Sequence, residues 1–494
     1  MLLGLVLLPV LFRHMPREEL GVWLLLMQSS AMMGILELGF GSTLTRRIAF
    51  ANGRASDSSS TPSDSAASQI TTLMAVGRRV YWFLACIAFM VSAGAGYLYL
   101  RGLDLSSVPL VTAWAAWLIL CVSQAFTVWA GVYSCFLQGT GYVGWDSILA
   151  SLINFLILSS QIVAVLLGGG LIVLASVAAI GALCQRFVFL GFVRRKVPEV
   201  FQIRGRWDGA VFQSMVPHAT RAWLTTLGFA LVGQTDQFFI AQFKGAAEIP
   251  AYRAAFVVCV NFNIISVTFA QASSVFISQL WQTGRLAEVH RIVLRNLRLA
   301  LLIMGCSAGF LLASGEKLFD QWLGAGHFIG YHILAIFCIW QFLEVQAYAL
   351  LVCSRATEDE AFAFSTLGGG LLKLFLAWFL IGKFGLLGLA CASLVAMLCT
   401  NYWYAVWRGL RRLQIPFGVY LRTCLLPVFG AALICYAFGS GILATTASIS
   451  PIASLGLSGS AVCVAFALAV WFFVVEAHQK ARITQNLRRL VLWT

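Results

Sequence analysis

The chain has 494 residues, of which 60% are hydrophobic and only 11% charged, with a mean hydropathy of +0.87. A water-soluble protein of this size needs far more polar surface, so the composition excludes a soluble class and predicts a membrane protein. The formal charge of +14 invites a nucleic-acid reading, which the distribution of the basic residues removes below.

Apolar runs of the ~20 residues needed to span a bilayer recur along almost the whole length. They are continuous rather than alternating, which predicts helices and not a barrel. We read about fourteen of them, at 1–13, 20–45, 80–100, 110–137, 146–168, 171–193, 215–241, 251–280, 299–315, 329–353, 361–382, 385–407, 423–443 and 454–477. The first, "MLLGLVLLPVLF", is too short to cross and lacks the basic start of a signal peptide. It is expected to be the truncated remainder of a longer first helix.

Between spans, only Arg13, Arg17, Arg101, Lys244, Lys317 and Lys383 follow odd-numbered spans. The clusters Arg46/Arg47, Arg78/Arg79, Arg194/Arg195/Lys196, Arg285/Arg291/Arg295/Arg298 and Arg408/Arg411/Arg412, with the basic tail, follow even-numbered ones. The positive-inside rule therefore predicts a multi-pass protein with both termini cytoplasmic. The excess charge is topological, and no nucleic acid is needed to explain it.

The longest connection, Arg46 to Arg79, contains the Ser-rich tract 55–69, and that tract is expected to be disordered. The segment 285–298 alternates apolar residues with Arg and His at helical spacing. It reads either as an amphipathic helix on the inner leaflet or as a continuation of the next span. The cysteines all lie in or beside apolar spans, without a C-x-x-C pair or a Cys–His cluster, and read as small buried hydrophobes rather than ligands. No metal site or cofactor is predicted.

The chain looks duplicated. "FRHMPREELGVW" at 12–23 aligns with "AQFKGAAEIPAY" at 241–252, and "NGR" at 52–54 with "TGR" at 283–285. This predicts an N-lobe over 1–200 and a C-lobe over 201–410, each of six spans and related by a pseudo-twofold along the membrane normal. Residues 411–494 then hold two further spans and a tail.

A charge at mid-bilayer costs about 2.5–3.5 kcal/mol even on insertion scales, so a polar group there usually faces a cavity or a partner. Arg186 lies near the cytoplasmic end of its span and is expected to snorkel; Asp146 is expected to cap the helix it opens. His218 and Arg221, i and i+3 on one face, with Arg253 and Lys373, are candidate cavity residues for a phosphate-bearing substrate. Asp236 and Arg253 end and begin adjacent spans and are able to pair across the hairpin instead. Glu37, Asp236 and Glu344 are candidates for a coupling H⁺ or Na⁺ or for gating. Around Glu37, "LELGFGSTLTRR" follows no strand and cannot be a nucleotide loop. Its small residues Gly39, Gly41 and Ser42 predict close helix approach or a bend.

These segments carry a family resemblance. The "PREELGVW" turn followed by "LELGFGSTLTRR" resembles the opening of the polysaccharide flippases of the multidrug/oligosaccharidyl-lipid/polysaccharide (MOP) exporter superfamily, O-antigen type. Their pattern there is R-x-L-x-x-E-E-Y-G-x-W and then D-L-G-x-G; here Glu37 replaces the common Asp and Leu20 the Tyr. "TDQFFIAQFKGAAEIPAY" resembles a second motif, with Asp236, Gly245 and Tyr252 in register, and "FLQGTG" at 136–141 a common turn. The resemblance implies an all-α fold of two six-helix lobes plus two C-terminal helices, in the bacterial cytoplasmic (inner) membrane. It implies flipping of an undecaprenyl-diphosphate-linked oligosaccharide to the periplasmic leaflet by alternating access, for lipopolysaccharide or exopolysaccharide synthesis. Membrane lipids and polymerases of the same pathway would be partners. Only Asp236 carries over from the family's motif; the other candidates rest on their position inside spans. A MATE-like cation-coupled drug or metabolite antiporter is the alternative. A polysaccharide polymerase or ligase would need a large periplasmic loop, and the connections on that side are short.

Overall fold

The structure, a computed structural model, describes residues 2–57, 64–196, 198, 207–357, 363–446, 449–475 and 480. Among them are helices and turns and no strand. The helices are α1 (Leu2–His14), α2 (Arg17–Met32), α3 (Phe40–Asp57), α4 (Asp64–Arg101), α5 (Leu110–Gly139), α6 (Val143–Leu166), α7 (Leu171–Lys196), α8 (Gly209–Gly233) and α9 (Asp236–Lys244). They continue with α10 (Ile249–Gln282), α11 (Leu286–Leu323), α12 (Tyr331–Arg355), α13 (Ala363–Met397), α14 (Trp403–Arg412), α15 (Phe417–Tyr420), α16 (Leu426–Thr445) and α17 (Pro451–Phe473).

Among the described residues eleven segments are long and apolar enough to cross a membrane, so the fold is that of a multi-pass membrane protein. One of them, Phe364–Arg412, holds two helices, because Gly385 leaves the helical region at φ 61°, ψ −141°. The apolar α1 is too short to qualify. Helix α8, with His218, Arg221 and an internal proline, Pro217, also falls outside the eleven. These three account for the difference from the fourteen read in the sequence.

The chain divides into two compact units, Met1–Pro250 and Ala251–Thr494. The first includes α8, which packs on α3 and α4. Its core joins Phe40, Leu44 and Ile48 of α3 to Val76 and Leu84 of α4, Val132 and Phe136 of α5, and Met215 and Ala219 of α8. Glutamates 18 and 19 of the "PREELGVW" turn hold two other connections. The Glu18 carboxylate accepts from the backbone N–H of Ser106 (2.7 Å) and Ser107 (2.8 Å) and from both serine hydroxyls. Glu19 accepts from the N–H of Leu171 at 3.3 Å, at the start of α7.

The core of the second unit is built on α11, whose Val289, Val293, Leu297 and Leu301 form one buried stripe against α12 and α16. Gly305 and Gly309, four residues apart, let α16 approach: a β-carbon on Gly309 would lie 2.6 Å from the Ala432 carbonyl oxygen. The segment 285–298 is the first part of this single helix rather than a separate surface helix. At the same end Arg412 donates to Thr357 through Nε (3.0 Å) and Nη2 (2.7 Å) and stacks 5.1 Å from the Trp281 ring.

Two further expectations are corrected. Most of the connection 46–79 is not a loop, since α3 runs to Asp57 and α4 starts at Asp64; of the Ser-rich tract, 58–63 lies outside the described residues. Arg186 is buried rather than snorkelled. Its guanidinium lies 3.1 Å from the Trp129 ring centroid and donates to the Trp129 carbonyl at 3.0 Å, tying α7 to α5.

Candidate functional site

The second span of the sequence, read at 20–45, is not one helix. Helix α2 tightens into a 3₁₀ turn at Met33–Glu37, the backbone turns left-handed at Leu38 (φ 54°) and Gly39 (φ 72°), and α3 restarts at Phe40. The left-handed region is disfavoured for a branched residue such as Leu38, so packing must hold the break. The Leu38 N–H returns to the Ile35 carbonyl at 3.1 Å. Gly39 lies against α8 so closely that a β-carbon there would meet the Ala219 carbonyl and come within 2.8 Å of the Trp223 nitrogen. Only glycine meets both demands.

The break ends the intrahelical hydrogen bonds and gathers polar groups. Glu37, half-buried, accepts a hydrogen bond from the Tyr81 hydroxyl of α4. That hydroxyl is 3.2 Å from Cys135 Sγ on α5, and the thiol is 3.5 Å from the Gly41 carbonyl. A β-carbon at Gly41 would press on the Glu37 carboxylate and lie 3.1 Å from the Tyr81 oxygen. Glu37 is thus tolerated inside the span by a partner, and a carboxylate so held is able to take up a proton or a small cation. The sequence singled out Glu37 and the glycines. It missed Tyr81 and Cys135, which look like ordinary apolar residues of their spans.

Helix α8 brings His218 and Arg221 into the same unit. Ala219, Ala222 and Trp223 form the face against Gly39, while His218 and Arg221 stand exposed on another side of the helix. Asp236 is buried and opens α9 after the helix interruption at Gln234–Thr235. Asp146 is also buried. It does not cap α6, which begins at Val143, but accepts from Gln138 Nε2 at 2.8 Å.

In the second unit Arg253, Glu344 and Lys373 lie on three helices, α10, α12 and α13. Arg253 is half-buried, 5.8 Å from the Phe256 ring in a cluster with Trp340 and Phe337. Lys373 is fully buried, at 0% exposure. Glu344 falls inside a polar seam that charge alone did not reveal: Asn263 of α10 donates to Gln341 at 2.8 Å, and Gln271 to the Tyr348 hydroxyl at 3.1 Å. Glu344, three residues after Gln341 and four before Tyr348, sits between them on one face of α12. The buried amide Gln346 points elsewhere and accepts from Tyr402 at 2.7 Å. Neutral amides inside apolar runs were the missed signal here. Among the described residues no cluster of His, Cys, Asp and Glu is arranged to hold a metal.

No protein-family model matches the chain, and no curated protein does. Solved structures do. Lipid II flippase MurJ in an inward closed conformation aligns with a TM-score of 0.72 over 96% of both chains, at 13% identity. An inward-facing multidrug resistance MATE family transporter of the MOP superfamily aligns with a TM-score of 0.69 over 84% of this chain and 95% of its own, at 11% identity. A MOP superfamily transporter from Pyrococcus furiosus, described by the reverse polarity of its binding pocket, aligns with a TM-score of 0.56 over 84% and 92%, at 12% identity. At these identities it is the fold that is common, and this chain has the fold of the MOP-superfamily transporters.

Proposed function

We propose that this chain is a lipid-linked oligosaccharide flippase of the bacterial inner membrane. It moves an undecaprenyl-diphosphate-linked oligosaccharide from the cytoplasmic to the periplasmic leaflet by alternating access, with both termini in the cytoplasm, and serves surface polysaccharide synthesis. Arg221, Arg253, Lys373 and His218 would meet the diphosphate and sugar; Glu37, Asp236 and Glu344 would carry coupling or gating. A polymerase of the same pathway would take the product.

One observation carries this reading: the last two helices make an apolar groove suited to a lipid tail. Between α16 and α17 runs a groove of about 580 Å³ lined by Leu426, Ile434, Phe438, Val464, Leu468 and Phe472 together with small residues such as Gly430 and Ala465. No charged side chain lines it. The alignment with a lipid flippase over 96% of this chain, against 84% for the drug transporter, supports the same reading.

A cation-coupled drug antiporter is the second reading, favoured by the half-buried acids Glu37 and Glu344 and by the similar TM-score of the MATE structure. The lipid-linked pool of a strain lacking the protein separates the two. Complete oligosaccharide accumulating on the cytoplasmic leaflet, relieved by wild type but not by Arg221→Ala or Arg253→Ala, is the expected result. A normal pool with altered sensitivity to cationic dyes overturns it and assigns the antiporter.

A further inference from the structure

The Thr-Gly-Arg turn at 283–285, conspicuous in the sequence for its likeness to 52–54, plays no part in the transport reading. In the fold it is the elbow between α10 and α11. Gly284 takes φ 72°, and the Arg285 N–H returns to the Leu280 carbonyl at 3.0 Å, so the chain reverses within one turn. The elbow bounds a half-open cavity of about 460 Å³ in the second unit.

One wall of this cavity is apolar, from Phe276, Leu280 and Ile292; the other carries Arg285, Arg295 and Gln279, and no acid lines it. Arg295 is half-buried, yet among the described residues its guanidinium has no hydrogen bond or ion pair. A shielded cation with no partner among the described residues suits an anion from outside. Arg285 pairs with Glu288 through Nη2 only, which leaves its other N–H donors for a ligand. Arg285 is the residue just before α11 and Arg295 lies ten residues on, roughly 15 Å away at 1.5 Å per residue. Both side chains line the same cavity, as two donors onto one phosphate or diphosphate require. By the charge count this end of the helices lies at the inner leaflet, where lipid phosphates are found.

We propose that the elbow cavity binds the phosphate of an anionic lipid, with Arg295 and Arg285 on the phosphate oxygens, Gln279 on a neighbouring ester or sugar oxygen, and the apolar wall along the first methylenes of the chain. The ligand is a bilayer phospholipid or an isoprenyl-phosphate carrier; both present the same chemistry. The site stands apart from the residues of the transport reading.

Native mass spectrometry of the purified full-length protein, exchanged into detergent with phosphatidylglycerol, phosphatidylcholine or undecaprenyl phosphate, tests this. Wild type should retain an anionic lipid and not phosphatidylcholine. Arg295→Gln should weaken retention roughly fivefold, and Arg285→Gln with Arg295→Gln roughly thirtyfold. Arg291→Gln, exposed on the same helix outside the cavity lining, should change little. Ile292→Trp, which fills the cavity and keeps both charges, should also abolish retention, and it stands in if the double variant does not fold. Loss confined to phosphatidylglycerol identifies a bilayer lipid as the ligand; loss confined to undecaprenyl phosphate identifies the carrier. Retention unchanged in a folded double variant, or equal retention of phosphatidylcholine by wild type, overturns the proposal. Neither result depends on whether the protein flips an oligosaccharide.

Discussion

The backbone of Ala246 rests directly on Gly21: a β-carbon at Gly21 would fall on the Ala246 carbonyl group. Both residues belong to the turns whose likeness suggested an internal duplication, "REELGVW" and "KGAAEIPAY", and both lie in the first compact unit. The obstacle is backbone, so no side-chain rotation relieves it. Gly21→Ala should cost about 1–3 kcal/mol, the range for overpacking a tight site. It should lower the melting midpoint of the detergent-purified protein, whereas Gly4→Ala, with nothing within 4 Å, should leave it unchanged. Equal midpoints for the two variants would show that the turns separate without cost.

The paired glutamates beside Gly21 have unequal work. Glu18 accepts four hydrogen bonds from Ser106 and Ser107, while Glu19 accepts one long bond from Leu171. Hydrogen bonds to a charged group contribute about 1.5–3 kcal/mol. A glutamine at 18 loses the charge and orients an N–H toward donors. Glu18→Gln should therefore destabilise the protein more than Glu19→Gln and should speed proteolytic cleavage between α4 and α5. Glu19→Gln should leave that cleavage rate near wild type.

Arg186 is a structural cation. Its guanidinium carbon lies over the Trp129 ring while Nη1 donates to the carbonyl of the same residue, a combination that suits a guanidinium better than an ammonium. Arg186→Lys should lower stability by about 0.5–2 kcal/mol, the cation–π range, and leave transport by the folded fraction intact. Loss of transport at unchanged stability would move Arg186 into the substrate path.

How much of this was legible in the sequence follows from what each feature depends on. The spans were readable because a helix in lipid must be continuously apolar, a property of neighbouring residues. The bend near Gly39 was readable too, as a choice between bending and close packing; the fold makes it both, since α8 presses on the bend it helps to hold. Tyr81 and Cys135 could not be read, because each becomes part of the Glu37 group only when α4 and α5 are packed beside the break. The seam around Glu344 was hidden in the same way. Asn263, Gln271 and Gln341 are uncharged and pass a hydropathy reading, and their meaning lies in their partners across the helix pair. Arg186 was misjudged because snorkelling is argued from depth alone, and depth does not foresee an aromatic ring alongside.

The Glu37–Tyr81 hydrogen bond permits a separation of scaffold from transport. Glu37→Gln keeps an oxygen able to accept from Tyr81 but removes the charge, so stability should change little. Tyr81→Phe removes the donor and leaves a half-buried carboxylate without it, which costs about 1–3 kcal/mol. In a double-mutant cycle the pair should show a coupling of about 0.5–3 kcal/mol, as residues in direct contact do. If the carboxylate at the break carries the coupling ion, Glu37→Gln should fail to restore surface polysaccharide to a strain lacking the protein, although it folds as well as wild type. Tyr81→Phe, with the acid retained, should restore it in proportion to its folded amount. Full restoration by Glu37→Gln would reduce Glu37 to a scaffold residue and leave Glu344 and Asp236 as the acids to examine for coupling.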